Sequence, residues 1–150
     1  MVEFEPDEEV LEVAIAREEE ANRFFLILAA RARNDEMRKV FEEFAAEELE
    51  HKAKLELEVM KTGKVLTATK NLEYEDEADK NVSGSQLDMD YKDMLIMGMQ
   101  KEEASFRLYV DLAARVTNED SKETLLAIAQ EEVKHKLRFE MEYDNLLKTS

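Results

Sequence analysis

The chain contains two histidines, and each follows a glutamate by three residues: Glu48-Leu49-Glu50-His51 and Glu132-Val133-Lys134-His135. Positions three apart share one face of a helix, so each pair can offer a carboxylate and an imidazole to a common point. The flanking residues show which face that is. Around the first pair the stripe reads Met37, Phe41, Phe44, Glu48, His51, Leu55, Val59, and around the second Leu125, Ile128, Glu132, His135, Phe139, Tyr143, Leu146. Both stripes have helical spacing and are apolar everywhere except at the pair, so the donors interrupt the side of the helix that is buried. An exposed, glutamate-rich face, on which the spacing merely supports local side-chain pairing, would carry no such stripe.

Two further stripes hold one acid each: Leu11, Ala14, Glu18, Ala21, Phe25, Leu28, and Tyr91, Leu95, Gly98, Glu102, Ser105, Tyr109, Leu112. Glu20 with Phe24 and Ile27 forms a rival to the first, but Glu18 shares its register with Glu102 and is preferred. Glu47 and Glu131 are expected behind the pairs or toward solvent. Four carboxylates therefore point inward at one level, where an uncompensated buried charge costs several kcal/mol and each repels the others. No Lys or Arg recurs at matched stripe positions. Two divalent cations would balance four carboxylates and leave both imidazoles neutral as ligands. Oxygen-rich ligation with one imidazole per metal suits iron(II) or manganese(II) better than a structural zinc site. In this arrangement Glu48 and Glu132 bridge, Glu18 and Glu102 are terminal, and positions stay open for a small ligand. Tyr109, seven residues after Glu102, is a candidate to hydrogen-bond a ligand or donate an electron; a packed core tyrosine is the plainer alternative.

The elements that must position these groups read as four long helices. One proline and three glycines in 150 residues leave few places for a helix to stop. Pro6-Asp7-Glu8-Glu9 reads as a helix entry with Asp7 as cap, Asn34-Asp35 as a break and new cap, and Asn118-Glu119-Asp120 as the entry to the last helix. The expected helices cover about 7–33, 35–61, 89–117 and 120–147, in one domain spanning 1–150, with a polar crossover at 62–87. The two halves overlay without a gap at an offset of 84 residues, the distance from Glu18 to Glu102: Leu28-Ala29-Ala30-Arg31 falls on Leu112-Ala113-Ala114-Arg115, Glu47-Glu48 on Glu131-Glu132, and His51-Lys52 on His135-Lys136. Two helix hairpins joined by a long crossover and related by a pseudo-twofold axis make an all-α, ferritin-like four-helix bundle. In such bundles a Glu from each of two helices and a Glu-x-x-His from each of the others surround two metals.

Composition narrows the function. There are 37 acidic residues against 21 basic, a net charge of −16, and no cysteine. Strong acidity argues against nucleic-acid and anionic-membrane partners. The lack of thiols excludes disulfides, iron–sulfur and thiolate–zinc sites, and thiol nucleophiles. No apolar run approaches the roughly 20 residues of a membrane span, and the start of the chain is short and acidic, so a cytoplasmic protein is expected.

The runs Ala14-Ile15-Ala16-Arg17-Glu18-Glu19-Glu20-Ala21-Asn22-Arg23-Phe24-Phe25 and Ala46-Glu47-Glu48-Leu49-Glu50-His51 resemble the rubrerythrin-type ferritin-like proteins. The resemblance extends over nearly the whole chain outside the crossover. It implies two bound iron ions, homodimerisation, and an oxidoreductase that reduces hydrogen peroxide or dioxygen. It departs at Ser105, where many members carry a further glutamate three residues after the third-helix acid. With no rubredoxin-like module in the sequence, electrons are expected from a separate donor protein. Two other expectations remain open: an iron-oxidising, iron-storing ferritin-like protein, and a non-enzymatic helical interaction module.

Overall fold

The computed structural model describes residues 6–61 and 90–149; the expected crossover at 62–87 lies outside the described residues. Among the described residues four helices follow in order: α1 Asp7–Arg31, α2 Asp35–Lys61, α3 Tyr91–Arg115 and α4 Glu119–Thr149. Among the described residues there is no strand. Helices α1 and α3 stop two residues earlier than the periodicity suggests, because Ala32 and Val116 already adopt extended backbone with ψ of 138° and 148°. The caps are local and polar. Asn34 Oδ1 accepts from the Met37 N–H at 2.9 Å, Asn118 Oδ1 from Ser121 N–H at 3.0 Å, and Asp90 Oδ1 from Asp93 N–H at 2.9 Å.

Asp7 does not cap its own helix. The residue in the N-cap position of α1 is Pro6, which makes no side-chain cap bond. The Asp7 carboxylate instead accepts from Thr117 N–H at 2.9 Å and Asn118 N–H at 2.8 Å, tying the start of α1 to the α3–α4 turn. That contact sets α1 antiparallel to α3, just as Arg138 Nη2 at 2.7 Å from Glu43 sets α4 antiparallel to α2. Since short turns also make α1–α2 and α3–α4 antiparallel, α2 and α3 run parallel. The pseudo-twofold axis therefore lies across the helices, and the chain has the ferritin-like four-helix bundle architecture.

Packing divides the interior into two apolar plugs with a charged layer between them. One plug is built on Phe24, Phe25, Phe41, Phe44, Met94, Leu95 and Phe139, the other on Val10, Leu11, Leu55, Val59, Leu112, Leu125 and Ile128. The repeat shows how volumes are exchanged between them: Ala14 facing the end that holds Leu55 corresponds to Gly98 facing the end that holds Phe139. A Cβ on Gly98 would lie 2.8 Å from Phe139 Cζ, so only glycine lets that ring reach α3. The ring cannot easily retreat, being stacked on Phe44 at 4.2 Å and Phe25 at 5.8 Å between centroids. No helix among the described residues is long and apolar enough to cross a membrane.

Candidate metal centre

All six residues singled out by type and spacing, Glu18, Glu48, His51, Glu102, Glu132 and His135, are buried and meet in the layer between the plugs. Each arrives from the middle of its own helix, so no loop motion is needed to bring them together. Their donor atoms fall into two overlapping groups: Glu18, Glu48, His51 and Glu132 in one, Glu48, Glu102, Glu132 and His135 in the other, each group lying within 4.8 Å of one another. Glu48 and Glu132 belong to both groups. In the first group His51 Nδ1 is 3.6 Å from Glu18 Oε1, 3.7 Å from Glu48 Oε2 and 3.0 Å from Glu132 Oε1. In the second, His135 Nδ1 is 3.6 Å from Glu48 Oε1 and 3.7 Å from Glu102 Oε2. The imidazoles face each other nearly parallel, 5.7 Å apart. Glu20, the rival to Glu18, turns away to pair with Lys101.

Two buried cations lie just beside the stripes, at whose matched positions no Lys or Arg recurs, and one of them supplies charge that the stripes alone do not show. Arg17 and Lys101 are related by the repeat, each precedes an inward-facing glutamate, and both are 0% exposed. Arg17 enters the centre itself. Its Nη1 donates to Glu48 Oε2 at 2.8 Å and to Glu18 Oε2 at 3.4 Å, and Nη2 reaches Glu132 Oε2 at 3.5 Å. Lys101 goes elsewhere, donating to Glu20 and lying 5.3 Å from the Phe24 ring centroid. The signal for both was the alignment of Arg17 with Lys101 in the repeat, hidden because a charged residue beside an apolar stripe is ordinarily assigned to solvent. Tyr109 is fully buried, and its hydroxyl donates to Glu18 Oε1, so it touches the centre rather than merely packing. Glu47 stands behind the second pair: its Oε2 is 2.6 Å from His135 Nε2, on the side of the ring away from Nδ1 and the carboxylates. Ser105 spends its hydroxyl on the Lys101 carbonyl at 2.7 Å.

The electrostatics are those of a site built for more cations than the chain supplies. Burial pushes Glu18 and Glu102 well above the ordinary carboxylate range, helped by Glu48 beside Glu18 and by Glu132 and Glu48 beside Glu102. For Glu48 burial acts in the same sense but is outweighed by Arg17, which holds it well below. Burial opposes charge on His51, yet Glu132, Glu18 and Glu48 together raise it to about 12, and His135 is raised by Glu48 and Glu132 against the same opposition. Burial and Glu18 keep the Tyr109 phenol protonated. Even with Arg17 in place, Glu48 Oε1, Glu132 Oε1, both oxygens of Glu102 and the Nδ1 atoms of both histidines are buried without a hydrogen-bond partner. A protein rarely leaves so many buried polar atoms without a partner in one place. Hard oxygen donors with one imidazole in each group are a set that fits two divalent metals.

Comparison with known proteins agrees with this geometry. A protein-family model described as Rubrerythrin matches residues 9–143. No curated protein matches the chain. Among solved structures, a hypothetical protein from Pyrococcus furiosus is similar over 96% of this chain and 92% of its own, at 24% identity and a TM-score of 0.69. A structure from Thermotoga maritima, described as a ferritin-like diiron-carboxylate protein, is similar over 96% of this chain and 98% of its own, at 23% identity and a TM-score of 0.71.

Proposed function

Because the chain belongs to the rubrerythrin family, we propose that it is a di-iron oxidoreductase that reduces hydrogen peroxide or dioxygen, with Glu18, Glu48, His51, Glu102, Glu132 and His135 as the iron ligands. One observation carries this reading: six buried donor residues from four helices converge, and five of them, all but Glu18, keep a polar atom without a hydrogen-bond partner. When bound, the pair of irons supplies two electrons, one from each metal, for cleavage of an O–O bond. The chain's own residues place and shield that chemistry. Glu48 and Glu132, which belong to both donor groups, would be shared by the two metals, and Glu47 orients His135 through Nε2. Tyr109 keeps a proton on its hydroxyl against Glu18 Oε1. The two apolar plugs exclude bulk water and strengthen every charge interaction between them. Reducing peroxide to two waters consumes two electrons and two protons, so each turnover requires re-reduction, for which we assign a separate electron-donor protein. The test is rapid mixing of anaerobically iron(II)-loaded protein with hydrogen peroxide. Oxidation of the bound iron should be faster than that of free iron(II) under the same conditions; equal or slower oxidation would remove this reading.

A further inference from the structure

We infer that the two halves of the centre fill in order, the half formed by Glu48, Glu102, Glu132 and His135 taking the first divalent cation and the half formed by Glu18, Glu48, His51 and Glu132 the second. The inference rests on the reading of the centre as binuclear, and goes beyond it by ranking the two positions.

The ranking follows from where the repeat fails. The donors that serve Glu18 are Arg17 and Tyr109, which hold its Oε2 and Oε1 respectively, while Arg17 also holds Glu48 Oε2 at 2.8 Å and, at the longer distance of 3.5 Å, Glu132 Oε2, two acids that both halves share. The repeat equivalents of these two residues are Lys101 and Phe25. Lys101 is directed to Glu20, and Phe25 has no hydroxyl and stacks in the aromatic plug. Glu102 is consequently left with both oxygens unpartnered, and Glu48 Oε1 and His135 Nδ1 beside it are unpartnered too. A cation entering the Glu102 half displaces no protein hydrogen bond to Glu102. A cation entering the Glu18 half must first free Glu18 from Tyr109 and Glu48 from Arg17, and it arrives next to a guanidinium that repels it. Hydrogen bonds to charged groups are the stronger kind, so the second affinity should be weaker by about tenfold or more. Arg17 and Tyr109 are therefore positioning residues that set the gap between the two affinities.

Manganese(II) added to the metal-free protein is a direct probe, because an isolated bound ion and an exchange-coupled pair give different electron paramagnetic resonance spectra. Up to one equivalent, the signal of isolated bound manganese should dominate, and the coupled signal should appear only as the second equivalent binds. Crystals soaked with less than one equivalent should show anomalous density in the Glu102 half. Tyr109→Phe, which keeps the ring, and Arg17→Leu should each narrow the gap, so that the coupled signal appears earlier. Arg17→Lys should restore most of it, which a merely structural role for Arg17 would not require. Coupled signal from the first additions, first occupancy of the Glu18 half, or an unchanged gap in Tyr109→Phe would overturn the inference while leaving a binuclear centre standing. Failure to bind manganese at either position would overturn both.

Discussion

Arg17 changes the charge balance of the centre. Two divalent cations and its guanidinium exceed the four carboxylates by one positive charge, so the loaded centre favours an anionic small ligand at its open positions. The protonation states set a pH dependence with a definite sign. Glu18 and Glu102 sit above their ordinary range, His51 at about 12 and His135 is raised, so all four tend to hold protons in the metal-free protein. Metal binding must expel those protons, and affinity should therefore rise from about pH 6 to about pH 8. Loading in weak buffer should acidify the solution, whereas loading with no proton release would contradict this. Glu47→Gln should weaken binding in the His135 half by about 10- to 100-fold, because it removes the negative charge that stands 2.6 Å from His135 Nε2. Titration of the variant alongside the parent measures it, and an unchanged first affinity would contradict the role assigned to Glu47.

At the scale of the helices, Gly98 and Phe139 form a close fit that joins α3 to α4. Alanine at position 98 would gain helix propensity but would drive its methyl into a ring already stacked on two neighbours. Gly98→Ala should destabilise the bundle by about 1–3 kcal/mol in urea unfolding; a gain in stability would mean the plug has slack. The helices and their inward faces were legible in the sequence because a period of three and four survives over 25 to 31 residues in each element. What was not legible depends on partners far away in the chain. Asp7 looks like a local cap, yet its partners are Thr117 and Asn118. Arg17 and Lys101 look solvent-facing until a second helix supplies the acids that bury them. Glu18 was separable from Glu20 only through the repeat, since both acids lie on a face that could have been the inner one.

For the molecule as a whole, the charged layer is a cost that the apolar plugs above and below it must offset. Four carboxylates lie in a water-poor interior with one guanidinium among them, and such a cluster is unfavourable without its cations. Metal held about a hundredfold above its dissociation constant should stabilise the fold by about 2.7 kcal/mol, raising Tm by about 5–10 °C over chelated protein. Identical melting with and without metal would mean that the layer is balanced by protons and Arg17 alone. The surface follows a separate rule: a net charge of −16 favours solubility and repels polyanions, and it says nothing of the interior.

The central claim is that six side chains from four helices hold two metal ions. Anomalous diffraction from crystals of the anaerobically iron-loaded protein, collected on both sides of the iron absorption edge, tests it most directly. Two iron peaks should appear between the plugs, one against Glu18 and His51, the other against Glu102 and His135, with Glu48 and Glu132 reaching both. A single peak, none, or peaks held by other side chains would contradict it.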